Sequence, residues 1–330
     1  MFINKIDLLI IIIVLIMTRS ILKTTDLERQ NEVNSYLENS ITFCRIPDID
    51  NGFIPQGISC DPNKNLILLT GYFSSSNSSP IYIIDRQSGN SKKILMNTED
   101  GESFRGHAGG ISLYQGYEYV AGSTQCCVYG FPLDTLIKAE DNSVQKIAMT
   151  IDLKNGEEYI RSSFTASDNT MLYVGEFHGW PFFCTHSSHA VNTPDGRQQA
   201  FLLGFTLDNQ NNAIPQIVYS IPDKIQGACF DAGYLYLSQT DKLFSSRILT
   251  YDLSKITSAD TKMVLGAQIP LCILCESCAV KSTRIPAMSE GILSVDGKLL
   301  ILYESASNRY RVGKRLGLDY VLATSIDFFR

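Results

Sequence analysis

Charge is scarce in this chain: 19% of its 330 residues are Asp, Glu, Lys or Arg, and 28 basic against 34 acidic residues leave a formal charge of −6. A protein that neutralises nucleic-acid phosphates needs a basic arm or patch, and none is present, so no nucleic-acid partner is expected. An apolar run able to cross a bilayer as a helix, about 20 residues, is also missing, since the run Leu8–Met17 has ten. No Gly-x-Ser-x-Gly elbow, phosphate-binding loop or dinucleotide fingerprint occurs, which excludes the most readable nucleophile and nucleotide sites. What the chain does have is 44% hydrophobic content, 16 Tyr, 16 Phe and 23 Gly with short polar punctuation. That content excludes a disordered chain and suffices for a large core. The length is that of a single large all-β domain such as a propeller.

Residues 1–20 (MFINKIDLLIIIIVLIMTRS) set Lys5 before the apolar run, with Thr18 and Ser20 placed for signal-peptide cleavage. Asp7 and Arg19 fit that layout less well, and reading on through Ile21 and Leu22 gives the alternative of a short membrane anchor. Export is therefore expected, with anchoring by the N-terminal segment as the other reading. Nine cysteines (44, 60, 126, 127, 184, 229, 272, 275 and 278) would allow up to four bridges with one left over in an oxidising compartment. Asn77-Ser78-Ser79, followed by Pro80, is the single glycosylation sequon.

A repeat organises the rest. Gly57-Ile58-Ser59 leads to LILLTGY (66–72), Gly110-Ile111-Ser112 to YEYVAGS (117–123), Gly227-Ala228-Cys229 to YLYLSQT (234–240) and Gly291-Ile292-Leu293 to LLILYES (299–305). A weaker copy runs from Ser163-Phe164-Thr165 to MLYVGEF (171–177). Starting points at 57, 110, 163, 227 and 291 give spacings of 53, 53, 64 and 64, at or a little above the length of propeller blades. Third strands are expected at 81–86, 127–133, 200–207 and 247–253, and fourth strands at 92–97, 145–152, 216–223 and 263–270. The last unit has a third strand (319–328) but no fourth. ITFCRIPD (41–48) resembles the fourth strand QIVYSIPD (216–223) and would close the ring from the other terminus. The expected fold is one all-β propeller over 41–330, with five four-stranded blades and a polar lead-in (21–40) holding one or two helical turns.

Antiparallel blades put first-strand starts and second-strand ends on one face. That gathers Gln56, Gly109, Ser162, Gln226 and Glu290 at a central channel mouth, with His107 beside them and Glu176 and Glu304 on the same rim. Both length excesses, 177–199 and 271–290, are expected as loops on that face, where function concentrates. His178, His186 and His189 share the first insert with Glu176, Trp180 and Cys184; with Glu290 they form a candidate site for a divalent metal, calcium or zinc, although no zincin-like spacing occurs. The alternative is a packed loop with hydrogen-bonded histidines. Glu176, Glu290 and Glu304 could serve hydrolysis, or line a channel structurally. Arg309 either pairs with this acidic rim or, with Arg105, clamps a substrate acid, while Trp180, Phe182, Phe183 and Tyr310 suit stacking on a sugar. Cys272-x2-Cys275-x2-Cys278 lacks the fourth cysteine of an iron–sulfur run, so disulfide stapling explains it better, with the pairing open.

PQGIS (55–59), GHAGGIS (106–112), YVGEF (173–177), PDKIQG (222–227), MSEGI (288–292) and LYESASNRY (302–310) resemble a family of secreted, bacterial-type β-propeller proteins with no established activity. The chain is more loosely similar to YncE-like and SMP-30/lactonase-like propellers. From the lactonase type only Glu290 carries over; its Asn and Asp ligands have no clear counterparts. The resemblance implies fold and export. The expected function is binding of a small molecule, glycan or protein partner on the loop-rich face by a monomer; the alternative is a metal-dependent, lactonase- or glycosidase-like hydrolase at the channel mouth.

Overall fold

The computed structural model describes residues 26–330 except 62, 64, 74–77, 241–244 and 311–315. The segment 1–20 and Asn77 of the sequon therefore lie outside the described residues. Five antiparallel sheets form five blades, as the repeat predicts. Blade I holds β2 (Phe53–Asp61), β3 (Leu66–Phe73), β4 (Pro80–Asp85) and β5 (Ser91–Asn97). Blade II holds β6 (Ala108–Tyr114), β7 (Tyr117–Gly122), β8 (Cys127–Pro132) and β10 (Met149–Asp152). Between blades II and III the chain forms the short pair β11 (Lys154–Asn155) and β12 (Glu158–Tyr159).

Blade III is β13 (Phe164–Ser167), β14 (Leu172–Gly175), β17 (Ala200–Leu207) and β18 (Ala213–Ile221); its insert carries the hairpin β15 (Val191–Thr193) and β16 (Gly196–Gln198). Blade IV is β19 (Ile225–Asp231), β20 (Tyr234–Gln239), β21 (Ser246–Asp252) and β24 (Lys281–Ile285). Blade V is β25 (Ser289–Val295), β26 (Lys298–Tyr303), β27 (Tyr320–Ser325) and β1 (Ser40–Arg45), the N-terminal strand lying antiparallel on β27. The last blade's missing rung is thus supplied by the start of the domain, as the likeness between 41–48 and 216–223 predicts, and the ring has no unpaired gap.

Two outer strands differ from the sequence expectation. The run 145–152 splits: β9 (Ser143–Lys146) leaves its own blade, follows α2 (Leu133–Lys138) and pairs in parallel with β5 of blade I, while β10 alone completes blade II. The run 263–270 is not the fourth strand of blade IV. It belongs to the hairpin β22 (Ser258–Val264) and β23 (Ala267–Ile273), whose second arm pairs in parallel with β18 of blade III. The true outer strand is Lys281–Ile285, inside the segment expected as a loop. In both cases the connection from third to fourth strand swings back to the preceding blade and covers its outer edge, a protection that an exposed β edge needs.

The strands exist because β-branched and aromatic residues alternate between faces, and the blades stay together because those faces meet between neighbours. Leu68, Ile83 and Val120 pack between blades I and II, Phe201, Leu203 and Ile151 between II and III, and Leu235, Leu249 and Phe164 between III and IV. The lead-in holds more helix than its composition predicts: residues 26–38 form α1. Its anchor is tertiary, because Tyr36 is fully buried against Phe328 and Phe329, with ring centroids at 6.3 and 6.2 Å. No helix among the described residues is long and apolar enough to cross a membrane.

Candidate functional site

The inner strands meet almost backbone to backbone on the axis. A Cβ on Gly57 would stand 2.7 Å from Gly110 Cα, one on Gly110 2.6 Å from Thr165 N, one on Gly227 3.0 Å from Gly291 Cα, and one on Gly291 3.1 Å from Gly57 Cα. Only glycine permits this approach. It leaves a cavity of about 10 Å³ among these strands, room for one water at most. At this level the axis is packed shut, and the polar residues expected at its mouth lie buried at one end of it.

Four inner strands carry a bulge at the same level: at Gln56 in β2, Gly109–Gly110 in β6, Gln226 in β19 and Glu290–Gly291 in β25. A bulge adds a residue whose side chain no longer follows the pleat and can be re-aimed. The amide of Gln56 donates to Glu304 Oε2 at 3.1 Å, and that of Gln226 to Glu290 Oε1 at 3.0 Å. Gln56, Glu290 and Glu304 are all buried. Two carboxylate–amide pairs from neighbouring blades thus pave one end of the axis.

The neighbours of this cluster are aromatic. Tyr72, at the end of β3, packs against the His107 ring at 4.5 Å and receives a hydrogen bond from Arg309 Nη1 at 3.2 Å. Burial, with the charges of Tyr310 and Glu304, pushes the Tyr72 phenol up; burial and Glu304 do the same to Tyr310. Both therefore remain protonated donors at neutral pH. His107 keeps exposed surface although protein crowds its ring. That crowding, reinforced by the Arg309 charge, lowers its imidazole to about 4 and keeps it neutral at pH 7. Of the residues expected here, Gln56, His107, Gln226, Glu290, Glu304 and Arg309 are linked in this region. Tyr72 was not anticipated: as one of 16 tyrosines at a strand end it carries no sequence signal of its own.

Glu176 lies at the same end of the disc but turns into the base of the insert. Its Oε2 accepts from His189 Nδ1 at 2.7 Å and Phe201 N at 3.1 Å, and its Oε1 accepts from Arg161 N at 2.9 Å. His189 is fully buried, stacked on Phe201 at 4.5 Å, and its Nε2 lies 3.9 Å from Glu158 Oε1. Glu176 is a clamp on the insert and is not part of the axial group. Ser162 is likewise structural, donating to Cys127 O at 2.5 Å.

The other histidines have separate partners. His178 is buried and sits between Thr185 Oγ1 at 3.1 Å and Gln199 Nε2 at 2.9 Å. Thr185 Oγ1 also donates to Gln199 O, and Thr185 N lies 3.4 Å from the same His178 Nδ1, so the ring is held on both edges by its own insert. His186 is held by Ser188 Oγ at 2.8 Å. Among the described residues no group of three or more His, Cys, Asp or Glu side chains is arranged to hold a metal. His186 and His189 are neighbours, with ring centroids at 5.6 Å, but each imidazole of the set His178, His186 and His189 is engaged by a separate partner in the insert, and Glu290 is held instead by Gln226 of the adjacent blade.

Cysteine usage also differs from expectation. One bridge forms among the described residues, Cys275–Cys278, while Cys44, Cys60, Cys126, Cys127, Cys184, Cys229 and Cys272 are free. Cys126 occupies a turn with φ 54°, and its neighbour Cys127 begins β8. The segment 271–290 contains the end of β23, the bridged turn and β24, and its turn returns to the site end, where Glu276 meets Arg247 at 3.0 Å and Ser277 N donates to Asp195 Oδ2 at 2.7 Å.

Strand pairing defines the molecule as a five-bladed β-propeller with a buried polar cluster at one end of its axis. No protein-family model matches the chain, and no curated protein is similar to it in sequence. The likeness to secreted bacterial-type propellers therefore rests on the quoted motifs alone. Among solved structures it is similar to the PQQ-bound aldose sugar dehydrogenase of Streptomyces coelicolor (14% identity, 86% of this chain and 96% of that one, TM-score 0.48). It is also similar to the glutaminyl cyclase of Myxococcus xanthus (9% identity, 87% and 92% covered, TM-score 0.38). A third is the nidogen/laminin complex (12% identity, 76% and 73% covered, TM-score 0.39).

Proposed function

We propose that the protein is an exported binding propeller that holds a polyhydroxylated ligand, a glycan or free sugar, at the polar end of its axis. The carrying observation is the pair of carboxylate–amide couples, Gln56–Glu304 and Gln226–Glu290, beneath the Tyr72, Tyr310 and His107 rings. Carboxylates accept from sugar hydroxyls, amides and phenols can both donate and accept, and ring faces accommodate the apolar side of a pyranose. The single bridge, Cys275–Cys278, and the signal-like residues 1–20 support export. The test is calorimetric titration with a panel of neutral mono- and oligosaccharides. At least one should bind, and Glu304→Gln and Gln56→Ala should each weaken it about tenfold or more, the loss of one charge-assisted hydrogen bond. A panel without a binder, or variants that bind like the parent, would overturn the reading.

A second reading keeps hydrolysis at the same site. It is favoured by one observation, that Glu304 and Glu290 are both held by amides of the inner-strand bulges at the same end of the axis. It requires turnover of a lactone or aryl glycoside, with calcium or zinc supplied, that disappears in Glu290→Gln.

A further inference from the structure

The insert of blade III ends in an apolar prong that the axial cluster does not use. Trp180 and Phe182 are 80% and 83% exposed, and Phe183 behind them 39%. A tight turn holds them out: Gly179 N donates to Phe183 O at 2.8 Å and Phe183 N to Gly179 O at 3.0 Å. Phe183 is braced by the edge of Phe177 at 5.6 Å and by the Arg161 guanidinium at 6.0 Å, which also donates to Cys184 O at 3.2 Å. Lys224 N donates to His178 O at 3.0 Å, tying the insert to the loop that enters β19. These contacts order the turn with its rings outward.

We propose that this prong inserts into the interfacial layer of a lipid bilayer. From Gly179 to Cys184 the turn has no charged, hydroxyl or amide side chain, and its only side-chain donors are an indole N–H and a thiol. A polar ligand finds almost nothing there to bond, whereas Trp and Phe favour the boundary between headgroups and acyl chains. The course of α1 names the occupant independently. Its lower end is fixed where Tyr36 meets Phe328 and Phe329 and Ser40 Oγ meets Thr324 Oγ1. Glu32 pairs with Arg284, which faces Arg247 at the site end of blade IV. At about 1.5 Å per residue, residue 26 stands roughly 9 Å further in that direction. The described chain thus begins at the same end as the prong, the sequence before it includes the apolar run Leu8–Met17, and Leu27 is 62% exposed. With a net charge of −6, the attraction is apolar rather than a pairing with anionic headgroups.

Trp180 is the chain's only tryptophan, so its fluorescence reports on the prong alone. With the full chain and phosphatidylcholine vesicles, its emission should shift to shorter wavelength and be quenched by brominated acyl chains, and anionic lipid should not strengthen the effect. Phe182→Ala, at an exposed position that leaves the fold intact by circular dichroism, should lower the partition coefficient about tenfold. Vesicle binding with Trp180 still in water would overturn the proposal, because the apolar run alone would then hold the protein. Absence of binding would overturn it too, as would a blue shift produced by soluble glycan or protein and not by vesicles.

Discussion

Glu118 shows how a single group can set the pH response of the whole fold. Its side chain is fully buried between blades I and II; Oε1 accepts from Ser59 Oγ at 3.1 Å, and Oε2 has no hydrogen-bond partner. Burial raises its carboxyl to about 8, against an ordinary 4.5, and Ser59 only partly opposes this. A carboxyl held protonated in the fold stabilises fully below the unfolded value, and that contribution is lost as pH rises from about 4.5 through about 8. Denaturant titrations should therefore lose stability over this window, by at most about 5 kcal/mol. Glu118→Gln should flatten the slope and be the more stable protein at pH 8. A parallel loss in both proteins would show that another group governs it. At this scale the sequence revealed residue types and left their partners open. Three histidines in one insert, with Glu290, read as a ligand set, but which way each ring points is set by Glu176 and Phe201 for His189, Gln199 for His178 and Ser188 for His186, pairings that residue spacing does not reveal.

Within the blades, the recurring Gly after Gln56, Gly109, Gln226 and Glu290 marks where inner strands bulge and touch. This was legible as a repeat, because the local sequence both builds the strand and admits the close approach. Gly110→Ala would set a Cβ 2.6 Å from Thr165 N and 2.8 Å from Phe164 Cα. Backbone cannot yield as a side chain does, so urea unfolding should register a loss of about 1–3 kcal/mol or more. Gly317→Ala, whose Cβ would meet nothing nearer than 3.5 Å, should change little. The outer strands were less legible. Residues 258–273 and 143–152 alternate like fourth strands, and alternation does not distinguish an antiparallel rung in one's own blade from a parallel strand added to the previous one. Only the longer connection, 253–280, signals that the chain has gone elsewhere.

Closure belongs to the molecule as a whole. β1 pairs with β27 from Ser40 opposite Thr324 to Arg45 opposite Tyr320, and Ile46 N continues to Asp319 O at 2.9 Å. The sequence disclosed this because a blade lacking its outer strand and an unassigned strand at the other terminus require one another. A chain beginning at residue 47 would leave β27 as a bare edge and uncover Ile46 and Tyr36 contacts in the last blade. It should sediment as aggregates at concentrations where the parent is dispersed, and a synthetic peptide of residues 26–46 added during refolding should restore the dispersed form. A truncated chain that stays dispersed and melts like the parent would show that covalent order alone keeps the ring shut.

That seam also decides how the molecule would answer a mechanical load. α1 doubles back beside the ring before β1 begins, so tension on the N-terminal tail arrives first at the Ser40 end of the ladder and along the direction that peels it. Rungs would part singly, as in a zipper, while the strands of the other four blades follow one another along the chain. A tether at this terminus therefore acts as a fuse: the clasp lets go first, and the other four blades are spared.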